Sequence, residues 1–358
     1  MDANNRAMLW LDQFNLTYRK REQMLKLAGD AGQLYAGFKS LRAQLIQIAG
    51  EDWFSKMSAV LDDKLVDKII EDLYKKDINI ITIYDEQYPD KLRNTDSPPL
   101  VLYYRGDIGL LKSKCFAVVG TRHITNYGKT VTELFSRDLC KAGFTIVSGL
   151  TVGVDSIAHN TTLANNGKTI SVLPCGFDKI YPASNFGLSK QIEEKGLVVS
   201  EFRPDAKTER YFFAIRNRII AGLSMGVLIT EAGEKSGAMH TKNYAIDNNT
   251  EVFAVPGNIT SEASKGCNRL IANSQAVPVT NIKDILNVYN IQLKMELPKA
   301  PELLPEQKSV YNLLKNESLT FQQIIQKTGM DTKNLNSLLT TMQISGIISK
   351  SAGNVYSV

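Results

Sequence analysis

A chain of 358 residues with 43% apolar and 22% charged side chains has the make-up of a folded globular protein and the length for two or three cores. No apolar run approaches the roughly 20 residues that cross a bilayer, and Met1-Asp-Ala-Asn-Asn-Arg6 lacks the basic-then-apolar order of a signal peptide, so a cytoplasmic location away from membranes is expected. The net charge of +5 is concentrated in residues 111–280, where 19 basic face 14 acidic side chains, which favours an anionic partner for that stretch.

Residues 1–80 show helical periodicity, as in Ala7-Met-Leu-Trp-Leu11 and Lys64 to Tyr74, with Gly29, Gly32 and Gly50 as punctuation. A small helical domain of the SAM-like kind is expected there. Ile78 to Tyr84 reads as a short strand. Residues 81–110, rich in turn signals at Tyr88-Pro89 and Pro98-Pro99, read as a connector packed on the next domain.

From residue 111 to 285 short apolar runs alternate with helical segments. Candidate strands are Cys115–Val119, Phe144–Ser148, Thr169–Leu173, Leu197–Ser200, Gly226–Thr230 and Glu251–Val255; candidate helices include Lys129–Lys141, Asp155–Asn165 and His240–Ile246. Strands that are apolar throughout and separated by helices imply an α/β domain, a doubly wound, mostly parallel sheet covered on both faces. A polar linker at 286–304 follows. Residues 305–358 then read as three helices, with N-caps at Thr320 and Asp331 and glycines at 329 and 346, closed by a hairpin around Gly353-Asn354, a winged-helix domain.

The strand exits carry the chemistry. Gly120-Thr121-Arg122, Gly149 to Gly153, Pro174-Cys-Gly176 and Pro256-Gly257 all follow predicted strands, and ligands of open parallel sheets bind beyond those carboxyl ends. Gly120, Thr121, Gly149 and Gly153 are therefore candidate phosphate-approach positions. Arg122 offers a guanidinium fork for phosphate, against the alternative of a solvated loop residue. Arg216 and Arg218 cannot share one helix face, since helical neighbours are three or four residues apart. One of them binds ligand while the other makes an internal ion pair, with Glu201 or Glu231 as the partner. Phe213 is a base-stacking candidate, with core packing as the alternative. Ser236-Gly237 opens a helix that carries Lys242, as at an anion site.

Other chemistries fit poorly. Tyr127-Gly-Lys-Thr130 and Asn166-Gly-Lys-Thr169 lack the first glycine of a nucleotide-triphosphate loop, and the long Gly120–Gly128 loop does not match a dinucleotide fingerprint, so no cofactor is expected. Cys115, Cys140, Cys175 and Cys267 form no C-x-x-C pair, and His123, His159 and His240 show no ligand spacing. Neither a metal site nor triad catalysis is expected. Residues 302–358 carry five lysines, four acidic residues and no arginine, a weak phosphate-binding surface that favours a protein contact over DNA reading.

Val119-Gly-Thr-Arg122, Tyr127-Gly128, Ser148-Gly-Leu-Thr-Val-Gly-Val-Asp155, Tyr181-Pro182, Ser200-Glu201, Arg216-Asn-Arg-Ile-Ile-Ala-Gly-Leu-Ser224, Glu231-Ala232, Ser236-Gly237 and Val255-Pro-Gly257 occur in one order. That string resembles the DNA-processing protein A (DprA/Smf) family. The resemblance implies an extended Rossmann-like fold and a homodimer. It also implies binding of single-stranded DNA during natural transformation and its delivery to the RecA recombinase, without enzymatic activity. The basic pocket it implies falls on Arg122, Phe213, Arg216, Arg218 and Lys242. Ala214 departs from the proline usual in the family after that phenylalanine. Two other classes remain: a phosphoribohydrolase-like nucleotide enzyme, whose essential glutamate after the glycine turn is missing, and an adaptor acting through the winged helix.

Overall fold

The computed structural model describes residues 1–291, 303–345, 347–351 and 354–357. Much of the expected linker, with Glu296–Glu302, and also Gly346 and Gly353, lie outside the described residues. The chain forms two units, Met1–Gln292 and Leu293–Val358.

Six helices open the first unit: α1 (Ala3–Asp12), α2 (Tyr18–Ala28), α3 (Ala31–Gly37), α4 (Arg42–Ala49), α5 (Glu51–Ala59) and α6 (Asp63–Lys75). Asp2, Thr17, Asp30 and Asp62 cap four of them by accepting backbone N–H bonds. Gly29 and Gly50 follow α2 and α4 with φ of 100° and 98°, as punctuation requires. Gly32 instead sits inside α3, where its N–H donates to Asn4 Oδ1 at 2.8 Å. Trp10 is fully buried, edge-on to Phe14, Tyr35 and Phe38 at 5.1–5.5 Å.

The strand expected at Ile78–Tyr84 is present, and the segment expected as a connector supplies a second strand to the main sheet. β1 (Asn79–Thr82) precedes a short helix, α7 (Asp90–Arg93), and pairs antiparallel with β2 (Val101–Gly106). The reason is apolar burial: Val101, Leu102 and Tyr103 are each at most 2% exposed. Tyr103 also donates its hydroxyl to Asp12 of α1 at 2.8 Å, which ties the helical layer to the sheet.

Next come β3 (Cys115–Val119), α8 (Asn126–Lys141), β4 (Thr145–Ser148), α9 (Val154–Ala164), β5 (Thr169–Val172), α10 (Phe186–Lys195) and β6 (Leu197–Ser200). The chain continues through α11 (Phe212–Leu223), β7 (Gly226–Ile229), α12 (Ala238–Asp247), β8 (Glu251–Ala254), α13 (Lys265–Ala272), β9 (Val277–Pro278) and α14 (Ile282–Val288). α14 extends three residues into the stretch expected as linker. The nine strands lie in the order β1-β2-β6-β5-β4-β3-β7-β8-β9, parallel from β6 to β9. This is the extended Rossmann-like sheet expected, with two added antiparallel strands. Successive residues of β3 alternate between the two faces, Ala117 and Val119 into one core, Phe116 and Val118 into the other, so the run is apolar without interruption.

The strand order reverses at β3, which has β4 on one side and β7 on the other. The loops after β3 and β7 therefore flank the crevice where such sheets bind ligands.

The second unit contains α15 (Pro305–Asn316), β10 (Leu319–Thr320), α16 (Phe321–Thr328), α17 (Thr332–Ile344), β11 (Ser349–Ser351) and β12 (Val355–Ser357). Its strands form an antiparallel sheet in the order β10-β12-β11. Thr320 and Asp331 cap α16 and α17, and Gly329 ends α16 in the left-handed region at φ 68°.

Candidate nucleic-acid interface

Three loops meet at the carboxyl edge of the central strands. Thr121 N–H donates to the Glu231 carbonyl at 2.7 Å, and Val154 N–H donates to the Thr121 carbonyl at 3.2 Å. Glycines allow this closeness. A Cβ on Gly120 would lie 2.5 Å from Val154 Cγ2 and 2.6 Å from the Glu231 carbonyl, and one on Gly153, whose φ is 85°, would lie 2.8 Å from Arg122 Cα. Gly149 packs in the same way against the Arg216 guanidinium. Gly120, Gly149 and Gly153 were expected to open these loops to phosphate; their missing side chains instead make room for neighbouring protein, because loops from three adjacent strands crowd one crevice. Thr121 is likewise tied into the loop framework.

What faces solvent here is Arg122. Its guanidinium carbon lies 4.6 Å from the centre of the Phe213 ring, a cation–π arrangement that orients the fork and leaves its edge free. Phe213 is half-buried in the first turn of α11. Tyr181 stands edge-on to it at 5.5 Å and is 43% exposed. Tyr181 escaped the sequence reading as a site residue because only the fold brings its loop, after β5, against α11.

Arg216 lies beneath this surface at 2% exposure. Its Nη1 donates to the carbonyls of Gly149, at 2.6 Å, and Val172, and its Nε to Asn217 Oδ1 at 3.1 Å. Burial pulls the guanidinium down to about 10, opposed by the Asp155 carboxylate and reinforced by the Arg122 charge. It remains a cation at neutral pH, and it forms no salt bridge among the described residues. The expectation that Arg216 touches DNA is corrected: its Nη1 is committed to two backbone carbonyls and its Nε to Asn217, and the residue locks α11 onto β5 and the loop after β4.

Arg218 points elsewhere. It forms the internal ion pair with Glu201, with side chains 11% and 23% exposed, in a groove between the helical layer and the α/β layer. The helical spacing that forbids a shared face separates the two arginines as anticipated, but places neither beside Arg122 on the open surface.

On the neighbouring loop, Ser236 Oγ accepts from Ala238 N–H at 3.3 Å, and the Gly237 carbonyl accepts from Asn217 Nδ2 at 3.3 Å. Gly237 is exposed, with open space where a Cβ would stand. Lys242 is the fifth residue of α12, about 6 Å along the axis from Ala238. It is half-buried on a helix packed against α11, and among the described residues it has no ion-pair partner.

The remaining polar groups are structural. Glu231, 2% exposed, accepts from Thr125 N–H at 2.8 Å and Thr125 Oγ1 at 2.5 Å, fixing the start of α8. His159 is fully buried against Thr169 Oγ1 at 2.7 Å, and burial, aided by the Arg216 charge, pushes its imidazole down to about 3. Among the described residues no cluster of three His, Cys, Asp or Glu side chains is placed to hold a metal, and no helix is long and apolar enough to cross a membrane.

The sequence model of the family described as DNA recombination-mediator protein A matches residues 79–290. Protein Smf of Synechocystis is 35% identical over 327 residues, spanning 81% of this chain and 82% of the relative. The DNA processing protein DprA of Bacillus subtilis is 40% identical over 54% of this chain and 66% of its own length. The X-ray structure of DNA processing protein A from Streptococcus pneumoniae superposes with a TM-score of 0.70 at 32% identity, covering 80% of this chain and 98% of that one. A structure described as giving insight into the single-stranded DNA binding mode of the Helicobacter pylori protein superposes with a TM-score of 0.54 at 34% identity, over 60% and 95%.

Proposed function

The chain belongs to the DNA recombination-mediator protein A family, and from that premise we propose that it binds single-stranded DNA at the crevice between the loops after β3 and β7. The observation that carries the reading is the exposed Arg122 guanidinium held against Phe213. It joins a phosphate-binding fork to an aromatic platform at the ligand edge of the sheet. The buried Arg216 cation beneath it adds positive potential, and Lys242, without an ion-pair partner among the described residues, is a further cation on α12, the helix packed against α11. The Helicobacter pylori relative, whose structure concerns single-stranded DNA binding, supports the choice of ligand.

We extend the reading, on the strength of family resemblance, to a homodimer that protects incoming DNA during natural transformation and passes it to RecA. The second unit, with its three helices and small antiparallel sheet, acts as a winged-helix contact module. Catalysis plays no part in the proposal: the buried carboxylates at the crevice are committed, Glu231 to Thr125 and Asp155 to Thr151.

Fluorescence anisotropy with labelled single- and double-stranded oligonucleotides across a salt series tests the proposal. Single strands are expected to bind preferentially, with log affinity falling against log salt by roughly 0.7 per phosphate neutralised. A flat salt response, or equal binding of duplex, contradicts it.

A further inference from the structure

A groove of about 980 Å³ runs between α1–α2 and the segment 201–212. Resting on the single-strand reading above, we propose that this groove is a second subsite, one that takes a nucleobase and not a phosphate.

Charge is the first argument. The groove is lined by four acidic side chains (Asp12, Glu201, Asp205, Glu209) and four basic ones (Arg21, Arg203, Lys207, Arg218). Such a balanced wall gives no net attraction for a backbone track, but it suits a neutral ring with polar edges.

Aromatic rings are the second. Phe212 lies face to face with Phe202 at 3.9 Å and an interplanar angle of 17°, and Tyr211, 56% exposed, stands edge-on to Phe212 at 4.7 Å. Tyr18 and Tyr244 complete the lining. Aromatic walls of this kind stack bases regardless of sequence.

Unpaired polar atoms are the third. Glu201 Oε2, Arg218 Nη1 and Arg21 Nε are buried without a hydrogen-bond partner among the described residues, and all three side chains line this one groove. Leaving such atoms unmatched is unfavourable. A base edge presents a donor and an acceptor side by side and supplies complements for Glu201 Oε2 and Arg218 Nη1 once that ion pair turns toward the groove.

The geometry also joins the two subsites. Phe212 and Phe213 are consecutive on α11, so their side chains diverge by about 100°. Phe213 faces Arg122 and Phe212 faces the groove. A strand anchored by its phosphate at Arg122 thus reaches the groove by crossing the first turn of α11.

The test uses the full chain with a labelled oligothymidylate and an abasic strand carrying the same phosphates. Phe212→Leu is expected to weaken the base-bearing strand about fivefold or more, leaving the abasic strand and the thermal midpoint unchanged. No loss, or equal loss on both strands, overturns the subsite. If the variant unfolds, photocrosslinking of wild-type protein to an iododeoxyuridine strand decides: adducts on Tyr18, Tyr211 or Phe212 support the groove, and adducts confined to Tyr181 and Phe213 overturn it. Calorimetry with thymidine monophosphate separates the sources of the base. Heat abolished by Phe212→Leu assigns free nucleotide as a ligand of the groove, whereas a strand effect without such heat assigns the base to the strand alone; the absence of both signals overturns the subsite. Normal binding by Arg122→Ala would instead sink the underlying single-strand reading.

Discussion

Arg216 and Arg218 stand two positions apart on α11 and do different work, which the pattern of charges alone cannot reveal. Arg216 donates to main-chain carbonyls at 2% exposure. Arg216→Ala strands the Gly149 and Val172 oxygens and opens a cavity, so a loss of about 3 kcal/mol in urea unfolding is expected. Stability within about 0.5 kcal/mol of wild type would refute that role. Phe213 is half-buried and exposes part of its ring beside Arg122. Phe213→Ala should weaken single-strand binding by about 1 to 3 kcal/mol without unfolding the chain; pronounced unfolding would make it a core residue instead.

His159 gives a pH signature. Its folded value of about 3 lies below the ordinary 6.5, so the unfolded chain binds the extra proton across that window. Stability is therefore complete above about pH 6.5 and falls as pH drops toward 3, by up to about 1.4 kcal/mol per unit from this group. His159→Asn should flatten that part of the pH–stability curve; an unchanged slope would contradict it.

At the scale of elements, the crevice depends on loops held closer than side chains allow. Gly153→Ala forces a Cβ at φ 85° toward Arg122 Cα, so it should cost about 1 kcal/mol or more in stability and lower DNA affinity by displacing the Arg122 loop. Gly237→Ala meets open space and should leave stability within about 0.5 kcal/mol. Equal effects of the two substitutions on thermal unfolding would mean the loop contacts are not what fixes Arg122.

Much of this was legible in the sequence. Apolar runs bounded by small residues marked the six central parallel strands within a residue or two, because strands buried on both faces show no alternation. The split between Arg216 and Arg218 followed from helical spacing, and Glu201 was one of the two partners that spacing left open. The role of the glycines was not legible: a glycine at a strand exit signals close approach, but whether ligand or protein fills the space depends on which strands are neighbours. Tyr181 was missed for the same reason, and so was the second strand at Val101–Gly106, whose partner β6 lies far along the chain.

At the scale of the whole molecule, the order of strands turns scattered motifs into one surface. Because β3 sits between β4 and β7, the loops after these three strands meet, and Arg122 stands where they do. The flanking stretches carry almost balanced charge, so salt dependence should arise from the α/β segment.

On the proposed function, Arg122 binds a phosphate of single-stranded DNA. Its most direct measurement is the salt dependence of oligothymidylate binding by Arg122→Ala beside wild type, followed by anisotropy. Arg122→Ala is expected to show weaker binding irrespective of base, an unchanged melting temperature, and a log–log slope shallower by about 0.7, the contribution of one phosphate contact on a single strand. An unchanged affinity and slope would contradict it.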